Sequence, residues 1–458
     1  MPSSADNTPP AGDPSTHSSG LIGIPAEHAE PIPAPAPPRT ADSAEAIRRV
    51  LAFLGAAMTA GGQPAHEVQG EVRQVAAALG YRRVQVSTGP TGIIVCLGDG
   101  TPATFESVEG GLRLDQATQV YEIRTALERG SMSVAEATER LSSLRRVPHR
   151  YPRGGLDGGV FVIACGIALI LQPAWSSVLF AGLASPIVGA SIRIAARGRL
   201  LATLMPFGAA LIVALAAFWA HSQGWIVGPL RTMLPPIAIL LPGALIVTGL
   251  SEVAAGAMVA GTARLSYGTS QLVMFGLGVA GAAILLRVPP EALANTTVDS
   301  IGWWSPIAGL VLVASGISLT ESVPMPLVPW ILLILGLTLS AQIGGQHVAP
   351  WFGALLGAGV ASAGSGLVEL ARPQLPRMVM FLPSFWLLVP GSLGLVSVAQ
   401  LGLEPSIAAP TITQSVSIVC AIALGMLLGT SVSRTVAIIV ERGRALRRRR
   451  IRLSRKLV

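Results

Sequence analysis

The sequence predicts a mainly α-helical polytopic membrane protein, with ten transmembrane helices arranged as two inverted five-helix repeats behind a small cytoplasmic α/β domain. Three observations predict it. Only 12% of the 458 residues are charged against 51% hydrophobic, where a soluble domain carries about 25% charged residues. From Gly155 to Val440 only 16 residues are Asp, Glu, Lys or Arg, and uncharged runs of about 20 residues are long enough to cross roughly 30 Å of hydrocarbon. Finally, a pattern of Leu, Pro and Gly recurs at an offset of 148 residues in two of those runs.

Residues 1–42 are dominated by Pro, Ala, Ser and Thr, too poor in apolar surface to offset ordering entropy, and are expected to be disordered. They lack the cationic and apolar regions of a signal peptide, so the first hydrophobic span is expected to direct insertion. Residues 43–153 read as the α/β domain. Ile47, Val50, Leu51 and Leu54 predict one helix ending at Gly61-Gly62; Val68, Val72, Val75, Ala76 and Leu79 predict a second ending at Gly80. Three short strands follow, at Val84–Ser87, Ile93–Leu97 and Thr104–Val108, the last two joined by Gly98-Asp99-Gly100. A helix from about Leu114 to Arg129 stops at Gly130, and another opens with Ser133 and Glu136 at capping-box spacing and ends before Pro148.

Ten apolar spans are centred near Ala164, Ala184, Leu211, Ile246, Leu277, Leu312, Leu333, Val360, Pro390 and Ile422, five in each of the repeats 155–300 and 301–440. Sorting their loops alternately gathers Arg145, Arg146, Arg150, Arg153, Arg193, Arg197, Arg199, Arg264, Arg372, Arg377 and the tail from Arg434 to Lys456, with its basic part 441–458, on one side. Arg231 and Arg287 fall on the other. Arginine in short loops marks the cytoplasmic side, so both termini are expected there, in the cytoplasmic membrane. The net charge of +8 therefore reads as topology and contact with anionic lipid rather than nucleic-acid binding. Cys96, Cys165 and Cys420 have neither disulfide nor metal spacing.

Leu234-Pro235, Leu240, Pro242-Gly243 and Glu252 in the fourth span match Leu382-Pro383, Leu388, Pro390-Gly391 and Gln400 in the ninth. Five spans separate the copies, so they run in opposite directions: an inverted repeat. Proline removes a helix hydrogen bond and the adjacent glycine relaxes backbone limits. In lipid such a break is tolerated only where it is covered by protein or lines a polar cavity, so the paired breaks mark a binding site near the middle of the membrane. Pro242, Gly243, Thr248, Ser251, Pro390 and Gly391 are the candidate substrate-binding residues. Backbone groups freed at the breaks and the two hydroxyls suit a small zwitterion. Glu252, an acid inside the apolar block mirrored by a polar residue, is the candidate for exchanging a proton. Glu321 and Glu369 lie nearer helix ends, where solvation at the interface is expected. The glycine pairs Gly353/Gly357, Gly425/Gly429 and Gly182/Gly189 are expected to pack helices together.

These residues resemble the threonine/serine exporter family. The resemblance rests on Leu240-Leu241-Pro242-Gly243 leading through Glu252 to Gly261-Thr262-Ala263-Arg264-Leu265, and on Val389-Pro390-Gly391-Ser392. In the N-terminal domain it rests on Gly61-Gly62, Leu79-Gly80, Leu114-Asp115 and Gly130 with Ser133, Glu136, Ala137 and Leu141. The chain departs from the family in carrying Glu252 where aspartate is usual, and Ala181-Gly182 with Ser185 where Gly-Gly and an acid are usual. The resemblance implies antiport-type export of small hydroxyl amino acids driven by the proton motive force, by alternating access around the fourth and ninth spans. From the residues alone the reading stops at a carrier of something small. The competing classes are a membrane-embedded enzyme and a channel or lipid flippase. Against an enzyme, His149, His221 and His347 are isolated, and neither a zinc-protease, a nucleophile-elbow nor a P-loop motif occurs. No cofactor, metal or catalytic residue is expected; the partners expected are the amino acid, protons and anionic lipid, with a homo-oligomer left open.

Overall fold

The structure, a computed structural model, describes residues 43–454 apart from 99, 152, 153, 389 and 404. The segment 1–42 lies outside the described residues, as do most side chains of the tail 441–458.

Helix α1 (Ala44–Ala60) starts at Ser43, whose hydroxyl accepts from the Ala46 N–H at 3.2 Å, supplying one of the partners a first helical turn lacks. Its apolar stripe faces α2 (Ala65–Ala78) and an antiparallel sheet of β1 (Gln85–Thr88), β2 (Gly92–Cys96) and β3 (Ala103–Ser107) in the order β1-β2-β3. Register pairs Val86 with Val95 and Ile94 with Phe105. Ile93 closes against Gly55 of α1, where a side chain would leave it no room. Helix α3 (Leu114–Arg129) stops at Gly130, whose φ of 67° is left-handed, a conformation glycine adopts at little cost. Ser133 then caps α4 (Val134–Ser143), accepting from the Glu136 N–H at 3.2 Å. The helices and strands thus fall where periodicity puts them. Ile47, Leu51, Leu54, Val72, Ile93 and Leu127 are fully buried in a core made by this segment alone, each contributing about 1.5–3 kcal/mol.

Among the described residues fourteen further α-helices follow: α5 (Gly155–Leu171), α6 (Trp175–Ala195), α7 (Arg199–Ser222), α8 (Pro229–Thr232), α9 (Leu234–Ile237), α10 (Gly243–Ala254) and α11 (Met258–Leu285), then α12 (Ser305–Thr320), α13 (Val328–Gln346), α14 (Pro350–Ala371), α15 (Arg377–Phe381), α16 (Ser384–Leu388), α17 (Pro390–Leu403) and α18 (Pro405–Ser454). Among the described residues six helical stretches are long and apolar enough to cross a membrane: Trp175–Ala195, Arg199–Ser222, Met258–Leu285, Met325–Gln346, Pro350–Ala371 and Ala408–Val440. A seventh is the pair Pro229–Leu240 and Gly243–Ala254, bent by 67°. Three shorter apolar stretches, Gly155–Leu171, Ser305–Thr320 and Arg377–Leu388, occupy further expected positions. Large apolar residues such as Leu179, Leu183, Leu277 and Ile284 are exposed along α6 and α11, as on a lipid-facing surface. The chain is a mostly helical, multi-pass membrane protein.

Packing follows the small residues. In α5 and α12, Gly159 faces the Gly316 carbonyl and Gly166 the Gly309 carbonyl, and each partner returns the contact, so two helices running in opposite directions touch backbone to backbone. Helix α7 packs on α11 and α14 on α18; α10 packs on α11 and on α18, and α17 on α18 and on α11. Glycine pairs tighten these seams, with Gly425 and Gly429 of α18 against Ala358 and Ala363 of α14. At the α10–α11 crossing a Cβ on Gly261 would lie 2.6 Å from both the Gly249 carbonyl oxygen and the Val253 nitrogen. Backbone cannot yield as a side-chain tip can, so Gly261→Ala is expected to cost about 1–3 kcal/mol. Thermal unfolding of the purified protein in detergent checks this, with Gly281→Ala, where the nearest atom is a leucine methyl carbon at 3.6 Å, as the control.

Candidate functional site

The first break is where the sequence places it. Helix α9 tightens into a 3₁₀ turn at Ala238–Leu240, the chain extends at Leu241, and α10 restarts at Gly243. In the second half α16 ends at Leu388 and α17 begins at Pro390; the side chains of Pro390 and Gly391 lie outside the described residues. Helices α10 and α17 touch. Pro242, Gly243, Thr248 and Ser251 are all buried, and the Ser251 hydroxyl donates to the Thr248 carbonyl of its own helix at 2.8 Å.

Beside the segments that precede both breaks lies a cavity of about 550 Å³. Leu234 of α9 and Leu387 and Leu388 of α16 form apolar wall, with Val396 of α17. Arg231, Asn295, Asp299, Gln342 and Gln414 contribute polar wall. Asn295 Oδ1 accepts from Arg231 Nε at 2.6 Å, and the Leu171 carbonyl accepts from Nη1 at 3.4 Å, which fixes the guanidinium. Gln342 Oε1 is buried with no hydrogen-bond partner among the described residues. Among the described residues, Pro242, Gly243, Thr248 and Ser251 do not line this cavity; Leu234 before the first break and Leu387, Leu388 and Val396 on either side of the second do. Distant residues Arg231, Gln342 and Gln414 carry no local signal that would have grouped them.

At the opposite ends of these helices, where the N-terminal α/β segment packs, Glu252 is wholly buried. Its Oε1 accepts from Arg264 Nη1 at 2.6 Å and from the Ala65 N–H at 2.6 Å, and its Oε2 has no partner among the described residues. Arg264 stands one helix on, 8% exposed. The candidate proton-exchanging acid is therefore an ion-paired one that also caps α2, whose own N-cap, Pro64, offers no side-chain acceptor. The mirror residue Gln400 is buried too and donates from Nε2 to the Leu293 carbonyl at 3.1 Å.

Glu321 and Glu369 are covered by the N-terminal segment rather than left at a free interface. The Glu321 carbonyl accepts from the Asp115 N–H at 3.4 Å. Glu369 joins Glu67, Glu71, Tyr121, Arg124 and Arg377 around a cavity of about 60 Å³. There Arg377 Nη2 pairs with Glu67 Oε1 at 2.9 Å, Arg124 Nη1 with Glu71 Oε2 at 3.0 Å, and the Tyr121 hydroxyl donates to the Pro373 carbonyl at 3.1 Å. Burial pushes the Glu71 carboxyl up to about 7; the carboxylates of Glu67 and Glu369 act the same way, and Arg124 and Arg377 oppose them. A carboxyl raised on folding stabilises the folded form below its ordinary value near 4.5 and loses that contribution as pH rises through about 7. The N-terminal segment is therefore expected to be held more firmly at pH 5 than at pH 8, by on the order of 1 kcal/mol. Amide hydrogen exchange in α2 measured across that range should show the slope, and Glu71→Gln should flatten it.

Comparison with known proteins follows the same lines. A family described as "Putative threonine/serine exporter" matches residues 49–286. A curated protein of Mycobacterium tuberculosis named "Probable threonine/serine exporter" is 29% identical over 282 residues, 57% of this chain and 51% of the relative. The chain thus spans about half the length of the curated relative it matches. No solved structure matches it. The family match covers more than half of the sequence, from within α1 to the end of α11, and so takes in both the Pro242-Gly243 break and the Glu252–Arg264 pair: the chain belongs to the threonine/serine exporter family.

Proposed function

We propose that the protein exports small amino acids, threonine and serine among them, across the cytoplasmic membrane by proton-coupled alternating access around the two broken spans. The observation that carries this is the cavity of about 550 Å³ beside both breaks, apolar with a few charged and amide groups in its wall and within the roughly 300–1,000 Å³ of small-molecule sites. The fixed guanidinium of Arg231 suits the substrate carboxylate, and the Gln342 side chain stands in the same wall. Pro242, Gly243, Pro390 and Gly391 shape the crossing, and Thr248 and Ser251 line the path on the side beyond it. Glu252 exchanges the proton.

On this reading the chain crosses ten times, the shorter helices α5 and α12 and the interrupted α8–α10 and α15–α17 each counting as one crossing. Residues 155–300 and 301–440 are then inverted repeats behind a cytoplasmic domain, 43–153. Three features of the packing support the repeat: α7 on α11 has its counterpart in α14 on α18, α10 on α18 in α17 on α11, and α5 and α12, the first helices of the halves, pack on one another. Arginine supports the orientation, because sorting the loops alternately gathers Arg193, Arg197, Arg199, Arg264, Arg372, Arg377 and Arg434 on one side and Arg231 and Arg287 on the other.

Purified protein in liposomes preloaded with labelled threonine or serine should release it in exchange for unlabelled amino acid; absence of exchange for any small amino acid sinks the proposal. Arg231→Gln removes one charge-assisted contact and is expected to raise the half-saturating concentration about 10- to 100-fold, with little change at saturation if its role is binding alone.

A further inference from the structure

We propose that the N-terminal α/β segment is the gate that closes the transport path at the end remote from the wide cavity. The first turn of α2 does this by clamping both broken spans at once. The inference rests on the carrier reading above and adds to it a role for a part of the chain that reading leaves idle.

Two contacts two residues apart make the clamp. The Ala65 N–H donates to Glu252 Oε1 on α10, the far half of the first broken span. Glu67 Oε1 accepts from Arg377 Nη2 on α15, the near part of the second. Both are among the driest polar contacts in the chain, with Glu67 5% and Arg377 13% exposed and Glu252 wholly buried. Each is charge-assisted, which roughly doubles the strength of a hydrogen bond. The α2 amides lack a cap of their own, so Glu252 satisfies a donor that would otherwise be orphaned. Arg377 is steadied from the other side, donating to Thr430 Oγ1 of α18 at 3.1 Å.

A rigid turn tied to both spans permits no relative motion between them. Alternating access requires that motion, so one tie must break in each cycle. Around the clamp the space is about 60 Å³, enough for a few water molecules but not for an amino acid with its hydration. The opposite end holds the cavity of about 550 Å³. The structure is thus open on one side of the breaks and shut on the other, and the shut side is the one the N-terminal segment covers. The mirror position explains the acid–amide asymmetry of the repeat. Gln400 ties α17 to the Leu293 carbonyl with a neutral hydrogen bond, whereas Glu252 ties α10 with an ionic one, so only the clamped end changes its hold when a proton arrives. Protonating Glu252 removes the charge that binds Arg264 and the Ala65 amide, and the proton taken up on one side is released when the clamp re-forms.

The test uses the full chain in vesicles with Cys96, Cys165 and Cys420 changed to Ser and a single cysteine introduced by Met378→Cys, a residue lining the small cavity. A membrane-impermeant maleimide is applied from the side of the N-terminal segment. Glu67→Gln and Arg377→Gln are each expected to raise the labelling rate at least about tenfold, the effect of losing one charge-assisted hydrogen bond. The exchanged pair Glu67→Arg with Arg377→Glu should return it to within about threefold of the parent, which a merely misfolded variant would not do. Equal labelling of parent and both single variants overturns the gate, and so does an exchanged pair that labels as fast as the singles. Labelling needs no flux, so a parent that carries no amino acid overturns the carrier reading while the same experiment still judges the clamp.

Discussion

Arg264→Met is expected to be among the most destabilising single substitutions in the chain, at about 3–5 kcal/mol. Its partner Glu252 is wholly buried, and among the described residues Oε1 takes two hydrogen bonds while Oε2 takes none. Without the guanidinium the carboxylate keeps one amide donor, Ala65 N–H, against the full cost of lying out of water. The companion change discriminates the cause. Replacing a buried ion pair by apolar side chains of similar volume is often neutral, so Glu252→Met with Arg264→Met should recover most of the loss. What remains should be the uncapped α2 turn, about 1 kcal/mol. Thermal unfolding in detergent of the parent, both singles and the double completes the cycle. If the double is no more stable than Arg264→Met, the pair is not what holds α10 to α11, and the glycine seam at Gly249 and Gly261 would have to carry that contact alone.

The two halves of this molecule were unequally legible in its sequence. The elements from α1 to α4 follow from side-chain period and local stop signals: Gly130 ends α3 because its left-handed φ suits no other residue as well, and Ser133 caps α4 through a hydroxyl three residues from its donor. The break at Pro242-Gly243 is equally local, since the two residues themselves remove the hydrogen bond and admit the turn. Hydropathy finds α5 and α12, and polar residues stand directly after each, Gln172-Pro173 and Glu321-Ser322. The site depends on contacts that no local pattern contains. Ala65 meets Glu252 across 187 residues of chain and Glu67 meets Arg377 across 310. Glu321 and Glu369 read as solvated helix ends because nothing in their own neighbourhood announces the segment that covers them. Arg264 was the one retrievable partner. It lies 12 residues from Glu252 in a block nearly free of charge, where a lone acid and a lone base invite pairing.

Glu252→Gln is expected to leave amino-acid exchange across vesicles intact while abolishing accumulation driven by a pH gradient. The amide keeps the size of the side chain and an oxygen that can accept from Arg264 and the Ala65 N–H, but it cannot titrate. It therefore imitates the protonated carboxyl throughout the cycle. Exchange needs only that the path open and close around a bound substrate, and a weakened tie to α2 favours opening. Accumulation needs more: a clamp that holds when Glu252 is charged and lets go when it is neutral, so that substrate and proton cross in a fixed relation. With glutamine at this position the clamp no longer distinguishes the two sides of the gradient, and flux should follow the amino-acid gradient alone. Substituting the mirror residue, Gln400→Glu, places a charge opposite the Leu293 carbonyl, which can only accept, so it should weaken the hold at the other end without creating a second coupling group. Should Glu252→Gln accumulate substrate like the parent over the same pH range, Glu252 is a structural cap. The search for the coupling acid would then move to Glu321 and Glu369, the other carboxyls covered by the N-terminal segment.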